Sequence, residues 1–257
     1  MPIPERLKPS FGPSRLVELD PLEEARKRLI VALDVPGAAE ATRLVNQLER
    51  TCRWFKVGLE LFVAAGPAVL EPIVARDHSV FLDLKFCDIP NTVAGAVRSA
   101  ASLGARLITI HAAGGPAMLE AAQNALANLS DPPQLLAVTV LTSMDQPQLA
   151  AIGLAGRTPA QQVELLARMG LAAGIKGFVC SPQEVATVRA IAGPEGVLVI
   201  PGIRPAGAQP GDQKRIATPA DALRSGASYL VVGRPITQAH DPSEAAKAIL
   251  SEMAEAL

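Results

Sequence analysis

Short runs dominated by Val, Ile and Leu recur along the chain at intervals of roughly 20 to 40 residues, with helical patterning between them. The runs are RLIVALD (28–34), RWFKVG (53–58), SVFLDLKF (79–86), RLITIHA (106–112), QLLAVTVLT (134–142), KGFVC (176–180), VLVIPGI (197–203) and SYLVVG (228–233). Most are near-continuously apolar, as expected of parallel strands covered on both faces. The stretches between them, such as AAEATRLVNQLER, NTVAGAVRSAASLG and TPAQQVELLARMGLAAG, repeat apolar residues at helical spacing. Pro116, Pro159 and Pro182 mark helix starts, and Gly104, Gly170 and Gly193 mark helix stops. Eight strands alternating with helices predict an α/β fold, a single (β/α)8 TIM barrel over residues 27–257. The second choice is a doubly wound open sheet. No GxGxxG follows the first strand, which counts against the dinucleotide-binding form of that fold. Residues 1–26, rich in Pro and charge near their start and without an apolar core, read as a flexible lead-in and not as a secretory signal.

Polar residues interrupt these runs mainly at their C-terminal ends, where barrels of this kind carry their chemistry. In FLDLKFCDIPNT, alternation puts residues 81, 83 and 85 on one face and Leu82, Leu84 and Phe86 on the other. The apolar set is expected on the helices, so Asp83 and Lys85 point into the barrel near its mouth. Asp34 ends the first strand, and Lys56 shares a face with Trp54 on the second. Asp88 precedes Ile89-Pro90, and the proline keeps Ile89 extended, so Asp88 falls on a loop. Three aspartates and two lysines therefore gather at three successive strand ends. They form either an ion-pair network that plugs the barrel top or a functional cluster, and the concentration of all five favours function.

A second cluster follows the last two strands, in Pro201-Gly202-Ile203-Arg204 and Gly233-Arg234-Pro235. Loops after strands 7 and 8 are the usual phosphate site of this architecture. A glycine lets an oxygen approach backbone N–H groups, and a guanidinium grips phosphate with its planar fork. Gln213, on the long connection 204–215, offers an amide donor.

Composition narrows the classes. Lys plus Arg total 24 and Asp plus Glu 25, a formal net charge of −1 that argues against nucleic-acid or polybasic membrane binding. Aromatics are 3% of the chain, too few for a base-stacking platform. No apolar run approaches the length of a membrane helix. Cys52, Cys87 and Cys180 are far apart and form no CxxC, which suits a reducing, cytoplasmic setting. His111 reads as a hydrogen-bonded strand-end histidine and Cys180 as a small core residue. With His78 and His240 elsewhere in the chain, no metal cluster emerges.

Taken together, ALD (32–34), KVG (56–58), FLDLKFCDIPNT (81–92), VTVLTSM (138–144), PGIRP (201–205), GDQKR (211–215) and VVGRPIT (231–237) resemble the orotidine 5'-phosphate decarboxylase family. The resemblance implies a cofactor-independent decarboxylase of pyrimidine biosynthesis that converts orotidine 5'-phosphate to UMP and CO2. It makes Lys85 the proton donor, within a charged set completed by Lys56, Asp83 and Asp88. It gives Asp34 the ribose hydroxyls, and Thr142 and Ser143 the pyrimidine. Arg204, Gln213, Gly233 and Arg234 take the phosphate, and Ile89 and Pro201 join the substrate-binding set. The counterparts of Asp88 and Thr92 reach into the neighbouring subunit's site, which implies a homodimer with shared active sites. One departure is Cys87, where His is frequent in the family; no chemistry is expected there.

Three rivals remain. A magnesium-dependent sugar-phosphate decarboxylase of the keto-gulonate 6-phosphate type shares DxKxxD but carries an acidic metal ligand where this chain has Lys56. A Schiff-base aldolase needs a neutral Lys85, which adjacent aspartates oppose. A non-catalytic nucleotide-binding barrel has no need of the complete charged set.

Overall fold

The computed structural model describes residues 20–205 and 215–257. Within them, eight strands close a barrel in the order β1 to β8, every neighbouring pair parallel. The strands are β1 (Leu29–Ala32), β2 (Trp54–Gly58), β3 (Ser79–Phe86), β4 (Ala105–His111), β5 (Gln134–Val138), β6 (Gly177–Val179), β7 (Val197–Ile200) and β8 (Tyr229–Val232). The expected (β/α)8 architecture is thus present, and the doubly wound open sheet is not.

The period-two alternation separates two cores. Ile30, Ala32, Phe81, Leu107, Leu136, Val199 and Val231 fill the barrel interior. Their neighbours in sequence, among them Val31, Val80, Leu82, Ile108, Leu135, Ala137, Leu198, Ile200, Leu230 and Val232, pack outward against the helices. This is why the runs look continuously apolar: both faces are buried, each by a different partner. Trp54 and Tyr229 close the N-terminal end edge-to-face, ring centres 5.2 Å apart. The helix Ala38–Leu48 buries Ala41, Leu44, Val45 and Leu48, the one-stripe spacing of a helix laid on a sheet.

Several sequence-based boundaries move. The lead-in expected through residue 26 gives way to a helix at Pro21–Arg28. Asp20 accepts from the Leu22 N–H at 3.0 Å, Pro21 opens the first turn, Glu23 and Glu24 follow, and Arg26, Lys27 and Arg28 end the helix. That charge order complements the helix dipole. The helix buries Ala25 and packs against the C-terminal helix Pro242–Ala254. Residues 1–19, and Gln213 on the long connection, lie outside the described residues.

The second correction concerns Gly170. Gly104 and Gly193 do follow helix ends with positive φ, at 82° and 73°. Gly170 instead lies inside the helix Pro159–Ala172, and the chain turns at Gly174, φ 85°. Gly170 is there for packing: a Cβ on it would sit 2.8 Å from Cε1 of the fully buried Phe178 and 3.4 Å from Ala137 Cβ. Gly170→Ala is therefore expected to destabilise the fold by about 1–3 kcal/mol, despite alanine's better helix propensity. Gly156→Ala, on an exposed turn with nothing within 4 Å of the new Cβ, should stay within about 0.5 kcal/mol of the parent. Denaturant unfolding of the two variants checks the contrast.

Candidate active site

A cavity of about 440 Å³ opens at the C-terminal ends of the strands. Its walls include Asp34 beyond β1, Lys56 on β2, Asp83 and Lys85 on β3, and Thr142 beyond β5. Pro201, Gly202 and Arg204 beyond β7 and Gly233 and Arg234 beyond β8 complete the ring.

One side of the cavity is a row of alternating charges. Lys56 Nζ donates to Asp34 Oδ1 at 2.8 Å and faces Asp83 Oδ2 at 3.5 Å. Asp83 Oδ1 in turn accepts from Lys85 Nζ at 2.8 Å. The side chains of Lys56 and Asp83 are 10% and 14% exposed, Lys85 31% and Asp34 55%. The row therefore runs from a dry centre to wetter ends. Burial opposes a charge on Asp83, but Lys56, Lys85 and hydrogen bonds from Lys85 and Thr109 outweigh it and hold the carboxyl below its ordinary value. Burial likewise opposes the Lys56 cation, and Asp83 and Asp34 outweigh it and hold the amine above its ordinary value.

The backbone departs from regular pairing to build this row. Opposite β4, the register runs from Leu82↔Ile108 directly to Phe86↔Ile110, so β3 carries extra residues there. Lys85 adopts φ 51°, a left-handed conformation uncommon for a residue with a Cβ. Such a conformation costs on the order of 1–3 kcal/mol and is characteristic of functional sites. The Lys85 N–H turns to the side chain of Thr109, donating to Oγ1 at 2.8 Å.

The wall beyond β7 and β8, next to the Asp34 end of the row, is cationic. Arg204, only 9% exposed, donates to the Ile203 carbonyl at 2.9 Å. Burial first, and the nearby Arg234 second, lower the pKa of Arg204. Two guanidiniums that close together in a cavity wall are matched to an anion with several oxygens. The ends of the long β7 connection are pinned beside them. Ile203 pairs with Ala217, and the Arg204 N–H donates to the Ala217 carbonyl at 3.0 Å.

A sequence profile of the orotidine 5'-phosphate decarboxylase / HUMPS family matches residues 27–249. The chain belongs to this family. It is 53% identical over 228 residues to the orotidine 5'-phosphate decarboxylase of Nitrosococcus oceani, covering 89% of this chain and 98% of that protein. It is 54% identical over 230 residues to the enzyme of the same name from Halorhodospira halophila, covering 89% and 97%. Among solved structures it superimposes on orotidine 5'-phosphate decarboxylase from Lactobacillus acidophilus with a TM-score of 0.77 and 38% identity, covering 88% and 98% of the two chains.

Not every residue singled out in the sequence meets at the cavity. Asp88, Ile89 and Thr92 are exposed and do not line it. The Asp88 carboxylate accepts from the Ile89 N–H at 2.6 Å. Within one chain the charged row is therefore Asp34–Lys56–Asp83–Lys85, without Asp88. Ser143 lies on an exposed turn outside the cavity, because β5 ends at Val138 and not near residue 142. His111 accepts from the Ala113 N–H at its Nδ1, 3.3 Å away, as a cap. Burial, then Lys85, lowers its pKa. Cys180 is 1% exposed at the cavity wall, and burial keeps its thiol protonated.

Sequence reasoning missed Glu60, Thr237 and Gln238 on the cavity wall. It also missed a buried clamp behind the wall. Arg215 pairs with Glu184, beyond β6, and donates at 3.0 Å to the carbonyl of Leu141, next to Thr142. Glu184 also accepts from the Ser181 N–H at 3.1 Å. One guanidinium thus ties together the connections after β5, β6 and β7. Arg215 stands in the same GDQKR run as Gln213.

Gly58 has a role that KVG alone did not disclose. A Cβ there would lie 2.8 Å from Lys56 Nζ and 3.0 Å from Asp34 Oδ1. The clash falls on the end of a flexible side chain, so the fold can absorb it by moving the amine. Gly58→Ala should leave unfolding stability within about 1 kcal/mol of the parent. It should also lower decarboxylase turnover at least about tenfold, since a small misplacement of a charged group is costly to rate. Paired denaturation and rate measurements check the split.

Proposed function

We propose that this chain decarboxylates orotidine 5'-phosphate to UMP and CO2 in de novo pyrimidine biosynthesis, without a cofactor. The observation that carries this reading is one cavity lined by an ordered Asp34–Lys56–Asp83–Lys85 row and by Arg204 with Arg234 beyond β7 and β8. A nucleoside monophosphate has a matching polarity, with phosphate at one end and a reactive ring at the other. The named relatives, about half identical over nearly their whole length, support the same substrate.

In this reading the phosphate sits against Arg204, Arg234 and the backbone at Gly233, with Pro201 at the wall. The ribose hydroxyls meet Asp34 and Lys56, and the pyrimidine lies toward Thr142. The carboxylate at C6 comes to lie beside Asp83 and Lys85. Breaking the C6–carboxylate bond releases CO2 and leaves the electron pair on C6. Lys85 Nζ delivers a proton to that carbon and is reprotonated from solvent. The preorganised ammonium faces the position where negative charge develops, which is the largest kind of term available to an enzyme without an electron sink. The phosphate is gripped far from the reacting carbon, and that binding can favour assembly of the charged site. Lys56 places an ammonium where the metal-dependent sugar-phosphate enzymes need an acidic ligand, and this disfavours that alternative.

The reading includes a cytoplasmic homodimer with shared sites. Asp88, Ile89 and Thr92 sit exposed outside their own cavity. Ile89 is 68% exposed, and on the neighbouring connection Leu59 and Val63 are 55% and 80% exposed. Exposed apolar residues beside functional polar ones suit a subunit interface. Among the described residues, no helix is long and apolar enough to cross a membrane.

The test is turnover of orotidine 5'-phosphate, without added metal, by the parent and two variants. Lys85→Ala should lose at least about 10³-fold, as expected when a proton donor and a charge stabiliser vanish together. Asp88→Asn should also be nearly inactive. Co-refolded in equal amounts, the two should regain about one quarter of parental activity. Half the dimers are then hybrids, each with one site joining an intact Lys85 to the neighbour's intact Asp88. No recovery although hybrids form would refute the shared site. Full turnover by Lys85→Ala, or turnover of a keto sugar phosphate that requires magnesium, would refute the function.

A further inference from the structure

Thr109 on β4 is fully buried, a polar side chain on the inward face that it shares with Leu107. A buried hydroxyl is costly unless it is bonded, and this one is bonded twice. It accepts from the Lys85 backbone N–H at 2.8 Å and donates to Asp83 Oδ1 at 3.1 Å. The polarity of the relay is forced. An amide can only donate and an ionised carboxylate can only accept, so the hydroxyl proton must point at Asp83.

Both ends of the relay are special positions. Lys85 carries φ 51° where β3 leaves the register of β4, and its N–H has the Thr109 hydroxyl as its partner in place of a ladder carbonyl. Asp83 has two ammoniums to choose between, Lys85 on Oδ1 and Lys56 nearer Oδ2. A bond from Thr109 to Oδ1 fixes the rotation of the carboxylate and so decides which oxygen faces which lysine.

We propose that Thr109 is a positioning residue for the decarboxylation. Its single hydroxyl holds the Lys85 backbone in the left-handed bulge and locks the Asp83 carboxylate that receives the Lys85 ammonium. This inference rests on the function proposed above, because it assigns Thr109 a role only through Lys85 and Asp83.

Thr109→Val keeps the side-chain shape and removes the hydroxyl; Thr109→Ser keeps the hydroxyl. In Thr109→Val, kcat should fall between about tenfold and 10²-fold, the scale of a small misplacement of reacting groups. KM and the affinity for UMP should change less than about threefold, because Asp34, Arg204 and Arg234 are untouched. Thr109→Ser should return kcat to within about threefold of the parent. Should Thr109→Val fail to fold, Thr109→Ala compared with Thr109→Ser reads the same split. The proposal is overturned if Thr109→Val retains parental kcat, if the loss lies in KM, or if Thr109→Ser is no better than Thr109→Val. Lys85→Ala, assayed alongside, separates the two levels. If it is inactive while Thr109→Val is normal, only this inference fails. If it is active, the assignment of the site fails and takes this inference with it.

Discussion

One carboxylate between two ammonium groups is the constraint around which the site is organised. Asp83 is nearly buried, and alone it would be an expensive group to hold there as an anion. Lys56 and Lys85 on its two oxygens reverse that balance, and Asp34 steadies Lys56 from the other side. The signs define where the row is secure. The carboxyl of Asp83 is held below its ordinary value, so its contribution is present above about pH 4 and is lost as pH falls through the lowered value. The amine of Lys56 is held above its ordinary value, so its contribution is present below about pH 10 and is lost as pH rises through the raised value. Across the neutral range Asp83 and Lys56 therefore keep opposite charges.

The barrel makes this arrangement possible by separating duties. Its two apolar cores fix the strands, and the strand ends and the residues just beyond them then place the charges. Local departures from regular structure serve the same end. β3 leaves its register at Lys85, Gly58 leaves room for the Lys56 amine, and Arg215 ties three connections to Glu184 and Leu141 behind the wall. Beyond β7 and β8, Arg204 and Arg234 supply positive potential to the same cavity. In the proposed reading, the phosphate grip and the bond breaking fall to different residues of one cavity.

Much of this was legible in the chain. The apolar runs gave all eight strands, because strands buried on both faces leave an unmistakable pattern. Alternation in FLDLKF put Phe81, Asp83 and Lys85 inward and Leu82 outward, as found. The helix at Pro21–Arg28 is masked in the sequence: its cap and charge order are visible, but Pro and charge near the start of the chain equally suit a flexible lead-in. Gly170 is not a helix stop, but a glycine needed for close packing looks the same in sequence as one needed for a turn. Thr109 offered a signal that went unused: alternation in RLITIHA places it inward with Leu107, and a threonine facing a barrel interior must have partners. The bulge at Lys85 and the clamp at Arg215 leave no local pattern, because both depend on residues far away in sequence.

The most direct test is the titration of Asp83 itself. Carbon-13 NMR of protein labelled at the aspartate carboxyls, with the Asp83 signal assigned by its loss in Asp83→Asn, reports the protonation of that group. The account predicts a midpoint below the ordinary aspartate value of about 3.9, with the carboxylate ionised throughout the neutral range. A midpoint at or above that value would mean that the two ammoniums do not hold the anion, and the account would be contradicted at its centre.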